Sequence, residues 1–217
     1  MFKKKSDVYN IALIIASFLI IFLVYNKLPD KIPIHWNIYG EVDGYGAKAF
    51  ATLMPVGFMI IMWVFMRVLP KIDPRKDNYV KFEKSYEIII SSIITVFFVI
   101  QIITLAAGLG YTIYVDKIIS IVIALMLIVL GNYMPKMKSN FFCGIKTPWT
   151  LSSELSWKKT HRLGGKLAVI AGFIILISSL FLRGQILFIV FITLTLIATM
   201  VPVVASYFYA KNDNLNK

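Results

Sequence analysis

Long uncharged runs, separated by short charged segments, dominate the pattern of this 217-residue sequence. Residues 88–109 and 185–210 contain no charged side chain, and each run is long enough to cross a bilayer. A helix rises about 1.5 Å per residue, so the first run would extend roughly 33 Å, against a hydrocarbon core of roughly 30 Å. Residues 8–25 and 49–66 are also long enough, at eighteen residues each. These four runs predict transmembrane helices.

Two shorter runs complete the pattern. Residues 118–130 need residues 131–134 to complete a span, and residues 167–182 hold sixteen apolar or small residues before Arg183. We include both because the loops between the spans then follow a consistent charge pattern, and the sequence therefore predicts an all-α polytopic membrane bundle of about six transmembrane helices. We divide it into an N-terminal membrane domain, residues 1–84, with two spans, and a C-terminal membrane domain, residues 85–217, with four spans.

The basic residues between these runs are concentrated in alternate loops. Eighteen of the 23 lysines and arginines fall in the N-terminal segment, the segments after the second and fourth spans, and the C-terminal tail. Cytoplasmic loops of membrane proteins collect Lys and Arg, so this asymmetry places both termini in the cytoplasm. The same rule accounts for the net charge of +12, and we expect no direct binding to nucleic acid.

Composition argues against a soluble enzyme. Hydrophobic residues make up 59% of the chain and charged residues 16%, against about 45–50% and roughly 25% in soluble domains. One cysteine and two histidines do not provide the ligands of a Cys-rich zinc site, and we expect no metal and no cofactor. No ionisable residue lies in mid-span, where a coupled transporter would need one. We therefore expect a protein that is not an enzyme.

The first predicted outward loop carries a pattern of its own. Apolar residues alternate through Ile32, Ile34 and Trp36, which is typical of an extended strand, and glycines follow as turn formers. We expect a folded, partly extended cap that receives a ligand from outside, as in strand addition. The alternative is that its aromatic residues anchor the loop at the headgroups. The candidate ligand-facing residues are His35, Trp36, Asn37, Gly40, Asp43 and Tyr45.

The second informative loop follows the fourth predicted span, on the predicted cytoplasmic side. Thr150 is the expected N-cap of a short helix that ends near Arg162, before Gly164-Gly165. This helix lies either on anionic lipid, with Trp149 and Trp157 as anchors, or forms a docking platform for a cytosolic protein. The candidate motif residues are Asn132, Asn140, Gly144, Thr147, Pro148, Trp149, Thr150 and Trp157. The candidate docking residues are Lys158, Lys159 and Arg162.

Both loops resemble motifs of known bacterial membrane proteins. Residues 28–36 and 40–46 resemble the outward motif of a membrane domain of uncharacterised role. Gly131-Asn132, Asn140, Trp157 and the string Gly-Ile-Lys-Thr-Pro-Trp-Thr-Leu at residues 144–151 resemble the motif of the SdpI-type immunity proteins. The two motifs occur in the order found in that family and on six apparent spans, so the resemblance covers most of the chain.

This resemblance implies a function. SdpI-type proteins are integral membrane proteins that protect the producing bacterium from a secreted antimicrobial peptide toxin. The resemblance also implies a receptor that, once occupied, holds a transcriptional repressor at the membrane. The expected partners are membrane lipids, a secreted peptide toxin outside and a cytosolic transcriptional repressor inside. The alternatives are a structural or lipid-interacting accessory protein and a small uncoupled transporter.

Overall fold

A computed structural model describes residues 4–215 as a bundle of long helices. These helices are α1 (Lys4–Val24), α2 (Lys48–Ile72), α3 (Glu83–Gly108), α4 (Val115–Tyr133), α6 (Glu154–Phe181) and α7 (Gly184–Leu215), and a short α5 (Pro148–Ser152) precedes α6. Six of them are long and apolar enough to cross a membrane, which confirms the predicted six-span, all-α polytopic bundle. The orientation of the termini stays a prediction, and Lys3 and Lys217, which enter the charge count, lie outside the described residues.

The helices pack in two groups. α3 packs against α1 and α2, whereas α6 packs against α4 and α7, and the α3–α4 contact is the main helix contact between the groups. The core of the first group includes Met59, Tyr86, Ile90 and Ile94, all of them buried. The predicted domain boundary at residue 84 assigns nearly all of α3 to the C-terminal domain, although α3 packs with the first helix group. The division into two domains stays a prediction.

A β-hairpin covers one end of the bundle, which we call the hairpin end. Strand β1 (Lys31–Trp36) pairs antiparallel with β2 (Val42–Ala47), with an irregular register between Pro33 and Trp36. Ile32 is fully buried against α3, where a Cβ at Gly108 would lie 2.9 Å from its side chain. The alternating pattern therefore does form an extended cap, and its apolar face holds it on the helices.

The opposite end carries the loop of residues 134–153 between α4 and α6, which we call the motif loop. The sequence predicted a surface helix ending at Gly164-Gly165 and a separate fifth span, and this prediction was wrong, because α6 runs through both glycines as one 28-residue helix. A Cβ at Gly165 would lie 2.6 Å from the carbonyl oxygen of Gly131 in α4. These glycines permit close helix packing, a common use of small residues in membrane helices.

A partly buried ionic cluster joins the first three helices at the motif-loop end. The Arg67 guanidinium of α2 pairs with Asp7 of α1 and with Glu87 of α3. Trp63 adds a hydrogen bond from Nε1 to Asp7 Oδ1 at 3.1 Å. The sequence assigned Arg67 to a loop after the second span, but α2 continues to Ile72 and carries Arg67 inside the bundle.

Candidate functional site

A cavity of about 390 Å³ lies beneath the tip of the hairpin. Its walls come from β1 and the turn that follows, and from the ends of three helices, α3, α4 and α7. The helices contribute mostly apolar side chains, including Ile100, Ile103, Ile119, Leu187, Phe188 and Phe191. The cavity therefore joins the first helix group to the second, at the end that the charge pattern places outside the cell.

A second cavity of about 340 Å³ lies beside the first, between the hairpin and the α3–α4 connection. Trp36 and Gly40 line both cavities, so this part of the hairpin separates them. Tyr45 and Tyr111 line the second cavity and are mostly exposed, at 61% and 68%. The hairpin end thus presents apolar and aromatic surface on both sides of Trp36.

The structure gives the predicted ligand-facing residues different surroundings. His35, Trp36, Asn37 and Gly40 line the first cavity, and Tyr45 lines the second. Asp43 lines neither of these two cavities. It lies 2.5 Å from His35 Nδ1, in a pair whose side chains are 43% and 71% exposed, so it is a solvated surface pair.

The turn at the hairpin tip is built by Asn37 and Gly40. Asn37 Oδ1 accepts hydrogen bonds from the backbone N–H groups of Tyr39 at 2.9 Å and Glu41 at 3.1 Å. Gly40 has a φ of +78°, and a Cβ there would lie 3.1 Å from Asp116 Oδ1. Glycine is therefore required twice at this position, for the backbone conformation and for the close approach to α4.

Sequence reasoning missed the helix residues that complete the cavity, above all Asp116. This carboxylate stands in the first turn of α4, and its Oδ2 accepts a hydrogen bond from the Gly184 N–H at 2.8 Å. A signal was present, because Asp116 is the only acidic residue between Glu87 and Glu154. The apolar wall residues, such as Ile103, gave no signal beyond that of a membrane span.

At the opposite end, Asn140 organises the motif loop. It is fully buried, and its Nδ2 donates to the carbonyl oxygens of Lys138 at 2.9 Å and Cys143 at 3.0 Å. Its Oδ1 accepts from the backbone N–H groups of Phe142 at 3.0 Å and Cys143 at 2.6 Å. A buried amide with all these partners fixes the backbone of the loop.

Gly144 and Trp157 surround a buried histidine that the sequence had not singled out. His161 Nε2 accepts from the Ile145 N–H at 3.0 Å, so Nδ1 carries the proton and donates to the Trp157 carbonyl oxygen at 2.8 Å. The Trp157 ring stacks on His161 at 4.0 Å, and its Nε1 donates to the Met137 carbonyl oxygen at 2.9 Å. Trp157 is 2% exposed, so the lipid-anchor interpretation is wrong for this residue.

The Thr147–Thr150 pair begins the short helix α5, with Pro148 as its first residue. Thr147 is the N-cap, and its Oγ1 accepts from the Thr150 N–H at 3.1 Å, while Thr150 Oγ1 accepts from the Thr147 N–H at 2.9 Å. The prediction of Thr150 as N-cap was therefore wrong, because Pro148 has no N–H and is favoured just inside a helix. Trp149 is half-exposed and meets Tyr207 edge to face, with ring centres 5.3 Å apart.

The remaining predicted residues lie on the surface. Asn132 is exposed at the end of α4, and its Nδ2 donates to the Ile128 carbonyl oxygen at 2.8 Å, outside the motif-loop network. Lys158, Lys159 and Arg162 are exposed side chains of α6. The Lys159 ammonium lies over the Tyr209 ring of α7, 5.7 Å from its centre.

The segment after α2 holds the motif loop from the other helix group. Asp73 Oδ2 accepts from the Phe141 N–H at 2.8 Å, and Asn78 Nδ2 donates to the Ser139 carbonyl oxygen at 2.8 Å. Arg75 donates to the Ser139 hydroxyl. The two helix groups are thus joined at both ends of the molecule, by the hairpin at one end and by this segment at the other.

Cys143 is placed inside this network. Burial raises the pKa of its thiol to about 11, and the nearby Lys146 ammonium opposes the shift only in part. At neutral pH the thiol is therefore protonated, and a protonated thiol is a poor nucleophile. This supports a packing role for Cys143.

Comparison with known proteins decides the family. The immunity protein SdpI of Bacillus subtilis (strain 168) is 31% identical over 210 residues, which cover 97% of this chain and 98% of that protein. The chain belongs to the SdpI/YfhL family. The model of this SdpI/YfhL protein family matches residues 136–206, and that of a domain of unknown function, DUF1648, matches residues 12–60. No solved structure matches the chain.

The two matched segments correspond to the two sites. Residues 12–60 include the hairpin, and residues 136–206 include most of the motif loop and all of α6. The resemblance seen in the two sequence motifs is therefore confirmed. With six spans and this family membership, the chain is a multi-pass protein of the cell membrane.

Proposed function

We propose that this membrane immunity protein protects its cell from a secreted antimicrobial peptide, and that it engages the peptide in the cavity beneath the hairpin. The relative's name, an immunity protein, supports the general function. The apolar cavity at the predicted outward end is the observation that supports this place for peptide binding. A membrane-active peptide must expose apolar side chains at the outer surface, and an apolar cavity of about 390 Å³ can take such a group out of reach of the lipid.

The opposite end supports a scaffold role within this proposal. Asn140 and Thr150 of the motif loop and His161 of α6 are fully buried, and each of them hydrogen-bonds to the backbone of the loop. These bonds fix the loop that connects α4 to α6, and the Thr147 hydroxyl of the same loop lies 3.0 Å from Ser206 Oγ of α7. Of these three helices, α4 and α7 form walls of the cavity at the other end. A peptide in the cavity would act on the motif loop only if it bound two arrangements of these helices with different affinities.

Filling the cavity tests the location. We expect Ile103→Trp to lower the toxin concentration that kills expressing cells to the level of cells without the protein, because the indole occupies the cavity that Ile103 lines. The matched control is Ile102→Trp, since Ile102 directly precedes Ile103 in α3, is 37% exposed and does not line the cavity. The measurement is a survival titration with the family's secreted peptide toxin in sensitive bacteria.

A folding check accompanies this test. Both variants are quantified in the membrane fraction, and Phe188→Ala provides a milder change, because it widens the cavity at a half-exposed ring. Full resistance in Ile103→Trp and Phe188→Ala, with normal protein levels, would place peptide engagement elsewhere. No resistance in the unmodified protein against any secreted peptide tried would favour the accessory-protein alternative.

The signalling part of the family's role is proposed for the exposed basic residues of α6. We expect replacement of Lys158, Lys159 and Arg162 by glutamine to leave resistance intact and to abolish toxin-induced transcription from the promoter of this gene. The matched control replaces Lys71, Lys76 and Lys84, which are also exposed basic residues at the motif-loop end. Unchanged induction in the first triple variant would rule out this face as the docking surface for a repressor.

A further inference from the structure

Asp116 is an unusual wall residue for an apolar cavity. One of its oxygens, Oδ2, accepts the Gly184 N–H at 2.8 Å. The other, Oδ1, is buried and has no hydrogen-bond partner among the described residues. Gly40 covers this oxygen on the hairpin side, and a Cβ at position 40 would lie 3.1 Å from it. A buried carboxylate oxygen without a donor is costly, so this atom favours a ligand that brings one.

The neighbouring cations do not supply that donor. Lys117 Nζ donates to the Leu180 carbonyl oxygen at 3.3 Å, and the Arg183 guanidinium lies over the Tyr114 ring, 3.8 Å from its centre. His35 lines the same cavity, but its Nδ1 is engaged by Asp43. Among the described residues that line the cavity, Asp116 is the only carboxylate. Its charge is therefore complementary to a cationic ligand group.

The other residues of the cavity wall indicate an apolar ligand group beside the cationic one. Ile100, Ile103, Phe188 and Phe191 present hydrocarbon to the cavity. A volume of about 390 Å³ lies near the lower end of the range of small-molecule sites, about 300–1,000 Å³. The cavity therefore suits one large apolar group with a polar head beside it, and not a whole folded peptide.

We infer that this cavity binds an amphipathic cation, in which an apolar group packs between α3 and α7 and an adjacent ammonium or guanidinium pairs with Asp116. The inference rests on the proposed function for its occupant, which is a cationic, apolar segment of the secreted peptide. An apolar side chain next to a lysine, an arginine or a free amino terminus has this chemistry. Asp116 then selects among peptides that are equally apolar.

Octylamine and octanol test this selectivity without knowledge of the peptide. Both carry the same alkyl chain, but only octylamine is cationic at neutral pH. The full-length protein is placed in phosphatidylcholine nanodiscs, and the apparent affinity of each probe is taken from the shift in thermal midpoint. We expect octylamine to bind more tightly than octanol to the unmodified protein. In Asp116→Asn we expect octylamine to bind about tenfold to a hundredfold more weakly, with octanol unchanged.

Two control variants and a change of lipid complete the binding experiment. Asp30→Asn, which changes an exposed carboxylate just before β1 at the hairpin end, should keep the preference for octylamine, and Ile103→Trp should weaken the binding of both probes. Equal binding of the two probes to the unmodified protein, or an unchanged preference in Asp116→Asn, would overturn the inference. Loss of octylamine binding in phosphatidylethanolamine nanodiscs would identify a lipid amine as the occupant and overturn the peptide assignment.

The survival titration separates this inference from the proposed function. Loss of resistance in Ile103→Trp, with full resistance and full amine preference in Asp116→Asn, would retain the cavity as the immunity site and reject Asp116 as its selector. Reduced resistance in Asp116→Asn, with octanol binding intact, is the expected result.

Discussion

Replacement of Arg67 by methionine should destabilise the protein by about 3–5 kcal/mol, because it leaves the buried Glu87 carboxylate and the partly buried Asp7 carboxylate without their cation. The Arg67 side chain is 15% exposed, and those of Glu87 and Asp7 are 6% and 30% exposed. The pairs also join three helices, so their loss would loosen α1 from α2 and α3. The free energy of unfolding, measured in mixed micelles of dodecyl maltoside and dodecyl sulfate, reports the change.

Two controls separate charge from packing. Lys71→Met also replaces a cation by methionine, four residues later on α2 and at an exposed site. It should lower the free energy of unfolding by less than about 1 kcal/mol. Addition of Asp7→Asn and Glu87→Gln to Arg67→Met should recover part of the loss, since neutral partners remove the uncompensated charge. Equal stability of Arg67→Met and Lys71→Met would show that the cluster contributes little.

The sequence predicted the parts of this fold that depend on local pattern. Length and hydrophobicity were sufficient for four of the six spans, and the charge pattern of the loops supported the two shorter ones. Alternation through Ile32, Ile34 and Trp36 was sufficient for the extended cap. The errors came where two segments meet. Gly164-Gly165 suggested a helix end, but Gly165 packs closely against Gly131 of α4 and Gly164 against Ile145 of the motif loop. Such contacts between segments cannot be seen in the sequence of one segment.

The candidate sites divide in the same way. The hairpin residues of the cavity, such as Trp36 and Gly40, were predicted because they stand together in one loop. Ile103, Asp116 and Phe188 come from three different helices, and only the packing of those helices brings them to one cavity. The functional role of the motif loop stays a prediction, but the sequence placed Trp157 as an anchor in lipid, where the structure has it buried and hydrogen-bonded to the Met137 carbonyl oxygen.

Replacement of Gly144 by alanine should be among the most damaging single changes in the motif loop. Gly144 has a φ of +108°, a conformation that costs a non-glycine residue about 1–3 kcal/mol. A Cβ there would also collide with His161 Nε2, the atom that accepts the Ile145 N–H. Loss of this buried hydrogen bond should add about 1–3 kcal/mol. The unfolding assay in mixed micelles measures the sum, and Trp157 fluorescence reports the displaced His161 ring.

The chain offers a matched glycine that isolates the collision. Gly110 has a φ of +88°, but a Cβ there would meet nothing within 4 Å, so Gly110→Ala should show the backbone cost alone. His161→Ala removes the clashing ring, and Gly144→Ala should therefore cost less in that background than in the unmodified protein. If the two glycine variants were equally destabilised, or if the His161→Ala background made no difference, the close contact with His161 would not be what requires glycine at position 144.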